Sequence, residues 1–155
     1  MKLTPNFSLE ELTRSMYAIR NDIDNTPSQE VVNNLTQTCK LLETIRSYAN
    51  RSISISSGYR CIELNKAIGG AANSQHVLGQ AADIHIQGFT TEQAYRMIKG
   101  MVLNDEITVG QVIQEFDNWV HISTPTDDNK NEFLRATKVN GKTVYTKDWW
   151  KNLGR

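Results

Sequence analysis

Apolar residues in the first part of the chain recur at helical spacing. Ser8-Leu9-Glu10-Glu11 has the form of a capping box and predicts a short helix running to about Ser15. The polar stretch Asp22 to Asn25 reads as a loop. Thr26-Pro27-Ser28-Gln29 reads as a second capping box with proline at the first helical position. The helix it opens carries Val31, Leu35, Cys39, Leu42 and Ile45 at steps of three and four, one apolar stripe suited to core packing.

After this helix the period changes. Ile53-Ser54-Ile55-Ser56 alternates and predicts a strand, and Ser57-Gly58-Tyr59-Arg60 turns out of it. Cys61 to Ile68 predicts a short helix closed by Gly69-Gly70. Ala82-Asp83-Ile84-His85-Ile86 alternates again, and Thr90-Thr91-Glu92-Gln93 caps a helix carrying Ala94, Met97, Ile98 and Met101. Val109 to Phe116 and Trp119 to Ser123 predict two strands joined by a tight turn at Asp117-Asn118. Asn140-Gly141 marks a later hairpin, ahead of Trp149-Trp150 and a basic end. Helices come before strands. That order predicts the α+β class, with a small antiparallel sheet and helices packed on one face.

A length of 155 residues fits one domain spanning 1–155. Lys+Arg and Asp+Glu each number 17, and zero net charge argues against broad nucleic-acid binding. No apolar run is long enough to span a membrane. Met1-Lys2-Leu3-Thr4-Pro5-Asn6 lacks an apolar stretch and a cleavage site, so no signal peptide is expected. Cys39 falls on the apolar helical stripe and is expected to be a buried free thiol. Spacing alone leaves a Cys39–Cys61 bridge open, and no Cys-x-x-Cys pair supports a cysteine zinc site.

The candidate chemistry lies in three residues. His76 and Asp83 stand either side of the turn at Gly79, and His121 lies in a later apolar run. Asp83 and His121 each sit between apolar neighbours in alternating segments, where a buried polar group is costly without a partner. A shared cation would satisfy both. Two imidazoles and a carboxylate suit zinc, and three protein ligands leave an open position for water, the mark of a catalytic site.

Ser74-x-His76-x-x-Gly79-x-Ala81-x-Asp83 resembles the signature of the zinc D-alanyl-D-alanine peptidases. That group includes cell-wall carboxypeptidases, vancomycin-resistance dipeptidases and phage L-alanyl-D-glutamate endolysins, all on the hedgehog-type peptidase fold. Five fixed positions recur by chance in roughly 3 of ten million windows, so the match is far more specific than a lone His-Asp pair. Ser56-Ser57-Gly58-Tyr59-Arg60 resembles the family's SxGYR segment. Glu115-Phe116-x-x-Trp119-Val120-His121 resembles the end segment of its compact, largely phage-encoded branch, as do Asn6-Phe7, Glu10-Glu11-Leu12 and Asn25-Thr26-Pro27.

The resemblance implies zinc held by His76, Asp83 and His121. It implies Arg60 on a substrate carboxylate or carbonyl, for which its planar fork is suited, and Ser74 on the substrate or orienting His76. Many relatives carry an acid three residues before the last histidine; here that residue is Asn118, which cannot accept a proton. Glu115, the acid of the compact branch, is then the favoured general base, with Asp117 the rival. A turn at Asp117-Asn118 would pair Glu115 with Val120 and face it away from His121, unless a bulge or wider loop intervenes. His85 shares Asp83's face by strand alternation and is expected at the rim or behind the ligands.

The activity so implied is zinc-dependent hydrolysis of peptidoglycan stem peptides. The implied setting is a phage endolysin, a monomer made in the host cytoplasm and acting on the wall after release. The alternative is a weak or inactive zinc-containing module that binds the cell wall or belongs to a virion, for which Asn118 speaks.

Overall fold

The computed structural model describes residues 1–148. The Trp149-Trp150 pair and the basic end lie outside the described residues. In chain order the elements are β1 (Lys2–Thr4), β2 (Phe7–Ser8), α1 (Leu9–Thr13), α2 (Met16–Arg20), α3 (Gln29–Ala49), β3 (Ile53–Ser57) and α4 (Ile62–Ala67). A 3-10 turn (Gln75–Leu78), β4 (Ala81–Ile86), α5 (Thr91–Leu103), β5 (Gln111–Glu115), β6 (Trp119–Ser123), β7 (Glu132–Val139) and β8 (Lys142–Lys147) follow.

The two capping boxes at Ser8 and Thr90 form with both reciprocal hydrogen bonds. At the other predicted starts the caps move. Helix α1 stops at Thr13, because Ser15 caps a separate helix, α2, through Ala18 N–H. Helix α3 is capped by Ser28, two residues later than expected. Thr26 instead binds Asp24 through both its N–H and its hydroxyl, a local Asx turn that competes with the helix.

Strands β3 to β8 form one six-stranded sheet in the order β3-β4-β6-β5-β7-β8. The sheet is mixed, not wholly antiparallel: β7 runs parallel to β5. One edge of β6 is taken by β4 and the other by β5, so the chain leaving β6 crosses over and joins the free edge of β5. The Asn140-Gly141 turn is as expected, with both residues at positive φ and Val139 paired to Lys142.

The two faces of the sheet divide the work. Leu35, Cys39, Leu42 and Ile45 of α3 and Ala94, Ile98 and Met101 of α5 pack against Ala82, Ile84, Val112, Val120 and Ile122. Each large aliphatic side chain buried here contributes about 1.5–3 kcal/mol. The alternate residues, Asp83, Ile113, Glu115, His121 and Leu134, emerge on the opposite face into an open cleft. Both cysteines are free, and burial, with the charges of Glu11 and Glu43, pushes the Cys39 thiol up to about 12. No described helix is long and apolar enough to cross a membrane.

Candidate metal centre and active-site cleft

His76, Asp83 and His121 converge on the cleft floor. All three are buried, and one donor atom from each lies within 4.8 Å of the others. Asp83 and His121 are direct partners across β4 and β6, as the strand register requires. His121 Nδ1 lies 3.0 Å and His76 Nε2 3.3 Å from the same oxygen, Asp83 Oδ1. The two rings meet edge to face, with centroids 5.0 Å apart.

His76 arrives on the 3-10 turn. Ser74 caps that turn by accepting the His76 N–H, and Gly79 closes it in the left-handed conformation at φ 75°. A side chain at Gly79 would strike Val31 and Leu35 of α3. His76 Nδ1 donates to Gly58 O at 2.7 Å, which places a proton on Nδ1 and turns Nε2 towards Asp83 and the site. Gly58 is pressed against the end of α1: a Cβ there would sit 2.3 Å from Leu12 O. Asn25 secures the same segment, donating to Thr13 O and Tyr59 O and accepting from Cys61 N–H.

The electrostatics fit a cation. Burial opposes ionisation of Asp83, but the His76 ring and the hydrogen bonds of both imidazoles outweigh it and hold the carboxyl well below the usual range. Burial also lowers the His76 pKa, against the pull of Asp83. Both directions, a carboxyl that ionises readily and an imidazole that loses its proton readily, favour metal ligation. Zinc, implied by the donor set, fits these residues: three mixed nitrogen and oxygen donors, one imidazole already backed by a carbonyl, and an open cleft on the remaining side.

Glu115 stands beside this trio, its Oε1 3.8 Å from His121 Nδ1. The loop joining β5 to β6 holds three residues, Phe116, Asp117 and Asn118, and not the expected two. Glu115 therefore pairs with Trp119, and Ile113 pairs with His121. Phe116 takes a positive φ of 60°, and Asn118 N–H closes the turn on Glu115 O. The extra residue turns Glu115 to the face of His121. Burial, followed by the charge of Asp83, raises its pKa, while His121, Trp119 and Arg60 temper the rise. The Trp119 indole N–H makes no hydrogen bond of standard geometry, yet it is near enough to favour the charged carboxylate.

Arg60 closes the other side. Its Nε donates to Ser57 Oγ, its Nη1 to the buried Asn65 Oδ1, and its Nη2 lies 3.6 Å from Asp83 Oδ2. Asn65, which the sequence reading did not single out, also donates to Ala71 O. Gly70 lets these groups meet, since a Cβ there would fall 2.0 Å from Asn65 Oδ1. His85 lies elsewhere. It is exposed on β4 opposite Ser54, a full alternation beyond Asp83, and outside the lining of the cleft. Asp117 is in the loop, where its backbone carbonyl accepts from Thr91 and its carboxylate from Gln114.

The cleft encloses about 1200 Å³ between α2, the loop after α4 and the ends of β5 to β8. Arg60, Glu115, Trp119, Tyr145 and the buried His76, Asp83 and His121 all line it. The sequence profile of the peptidase M15 family matches residues 5–123, most of the chain and every residue of this centre. A comparison with curated proteins gives no match.

Proposed function

The chain belongs to the peptidase M15 family, and on that premise we propose that it is a zinc-dependent peptidase hydrolysing peptidoglycan stem peptides. The observation that carries this reading is the buried His76–Asp83–His121 trio with a carboxylate, Glu115, on one side and a guanidinium, Arg60, on the other.

His76, Asp83 and His121 would hold zinc, which would supply Lewis-acid polarisation of a scissile carbonyl and acidify water near neutral pH. Glu115 accepts the proton of the attacking water and hands it to the leaving amine. Its raised proton affinity serves both halves of that transfer, since a base poised towards neutrality can also act as the acid. Ser57, Asn65 and Asp83 hold the Arg60 guanidinium in the cleft wall, where its planar fork suits a substrate carbonyl or carboxylate. Gly58, through His76, and Ser74 hold the ligand geometry. The phage-endolysin setting is the finer part of the proposal. It is supported by the resemblance of Glu115-Phe116-x-x-Trp119-Val120-His121 to the compact branch.

The rival reading, an inactive zinc module, rests on Asn118. The placement of Glu115 on the face of His121 supports the active reading instead. Digestion of purified muropeptides with and without a chelator, followed by mass measurement, tests the proposal. Chelator-sensitive cleavage within the stem peptide is expected, and the product masses identify the bond. Intact muropeptides in the presence of zinc would support the inactive module.

A further inference from the structure

Residues beyond the segment matched to the family add a wall to the cleft. Strands β7 and β8 carry two register rows of the sheet outward past the metal centre. One row runs Asp83, His121, Ile113, Leu134, Lys147. The next runs Trp119, Glu115, Ala136, Tyr145. Directly paired residues across a sheet share a face, so Tyr145 stands on the face of Glu115, two strands or about 10 Å of backbone away. In that row Ala136 is the residue between them.

The hairpin is fixed from behind. Arg135, on the opposite face of β7, donates to both Glu92 oxygens, to Gln114 Oε1 and to Asp148 Oδ2. Asp148 also accepts from Tyr95 Oη at 2.8 Å and pairs with Lys99 Nζ at 3.0 Å. These contacts tie β7 and the residue after β8 to α5 and β5, so Tyr145 has a set position. The residue is 54% exposed while lining the cleft, which leaves it open to a bound molecule. Burial of its ring, then the charges of Glu115 and Asp83, raises its pKa, so the phenol keeps its proton and acts as a donor.

We propose that Tyr145 is a substrate-positioning residue whose hydroxyl donates a hydrogen bond to a backbone carbonyl of the bound peptide, on the side of Glu115 away from Arg60. This rests on the peptidase reading above. A stem peptide lying across the strands would then be held at both ends, by Arg60 before the metal centre and by Tyr145 after it. Glu115 faces the bond between them.

The test uses the zinc-loaded Glu115→Gln protein, which retains substrate uncut, and a purified disaccharide-tetrapeptide as probe. Adding Tyr145→Phe should weaken its affinity by about three- to tenfold, the scale of one hydrogen bond. In the otherwise unchanged enzyme, Tyr145→Phe should raise KM by a similar factor and change kcat far less. A purely structural tyrosine would leave that split unmoved, since the ring remains. Equal affinity with and without the hydroxyl overturns the inference alone. A Glu115→Gln protein that binds no stem peptide overturns the peptidase reading, and the inference with it.

Discussion

Glu115 Oε1 lies 3.8 Å from His121 Nδ1 because one more residue stands in the β5–β6 loop than a two-residue hairpin would hold. With a two-residue turn the same carboxylate would point into the helical core. Glu115→Gln should keep the fold and zinc binding yet lose about 100- to 10,000-fold in kcat, the range for a general base. Asp117→Asn should change kcat by far less, its carboxylate being engaged with Gln114. The reverse ranking in steady-state kinetics would transfer the base role to Asp117.

Arg60 depends on Asn65 for its aim. Arg60→Ala should lower kcat/KM by about 10- to 100-fold, the scale of lost charge-assisted hydrogen bonds. Asn65→Ala should act the same way more weakly, and should also cost about 1–3 kcal/mol of stability by leaving Ala71 O and the guanidinium edge unsatisfied. Chemical denaturation and muropeptide kinetics on both variants check this. Full activity of Asn65→Ala would show that Arg60 needs no such support.

Gly58 couples a helix end to His76. In Gly58→Ala the new methyl group meets the Leu12 carbonyl, and the segment must shift, at a cost of about 1–3 kcal/mol. The shift carries Gly58 O away from His76 Nδ1. Loss of such backing typically weakens metal affinity by about 10- to 100-fold. Zinc titration against a competing chelator measures it. Unchanged affinity would mean that His76 holds its orientation without Gly58.

The clamp behind the β7–β8 hairpin is sensitive to acid. Hydrogen bonding from Arg135, chiefly, holds Glu92 down to about 2. A carboxylate whose folded pKa lies below its unfolded value stabilises the protein above the unfolded pKa, and that contribution fades as pH falls through the folded one. Melting temperatures of wild type and Glu92→Gln should therefore differ most above about pH 5 and converge towards about pH 2. A gap that stays constant with pH would show that Glu92 gives the hairpin no ionic support.

Much of the centre was legible in the sequence because it is written locally. Ser74, His76, Gly79 and Asp83 sit on one turn and the strand after it, and the caps at Ser8 and Thr90 are short-range signals. The loop length at Phe116 was not legible, since a bulky residue in the left-handed region carries no signature in its type. Nor was the parallel pairing of β5 with β7, which brings together segments separated along the chain. Asn65 and Tyr145 acquire meaning only once a neighbouring loop or strand is placed beside them. His85 shows the limit of alternation: it shares a face with Asp83, but a step of two residues carries it out of the cleft.

The central claim is that His76, Asp83 and His121 hold the zinc on which hydrolysis depends. Stepwise zinc addition to metal-free protein, with zinc content and muropeptide cleavage followed together, tests it most directly. Activity should rise in proportion to bound zinc and level off at one equivalent, and His76→Ala should neither retain that equivalent nor cleave. Tight binding of one zinc by His76→Ala, or full cleavage by the metal-free protein, would contradict the assignment.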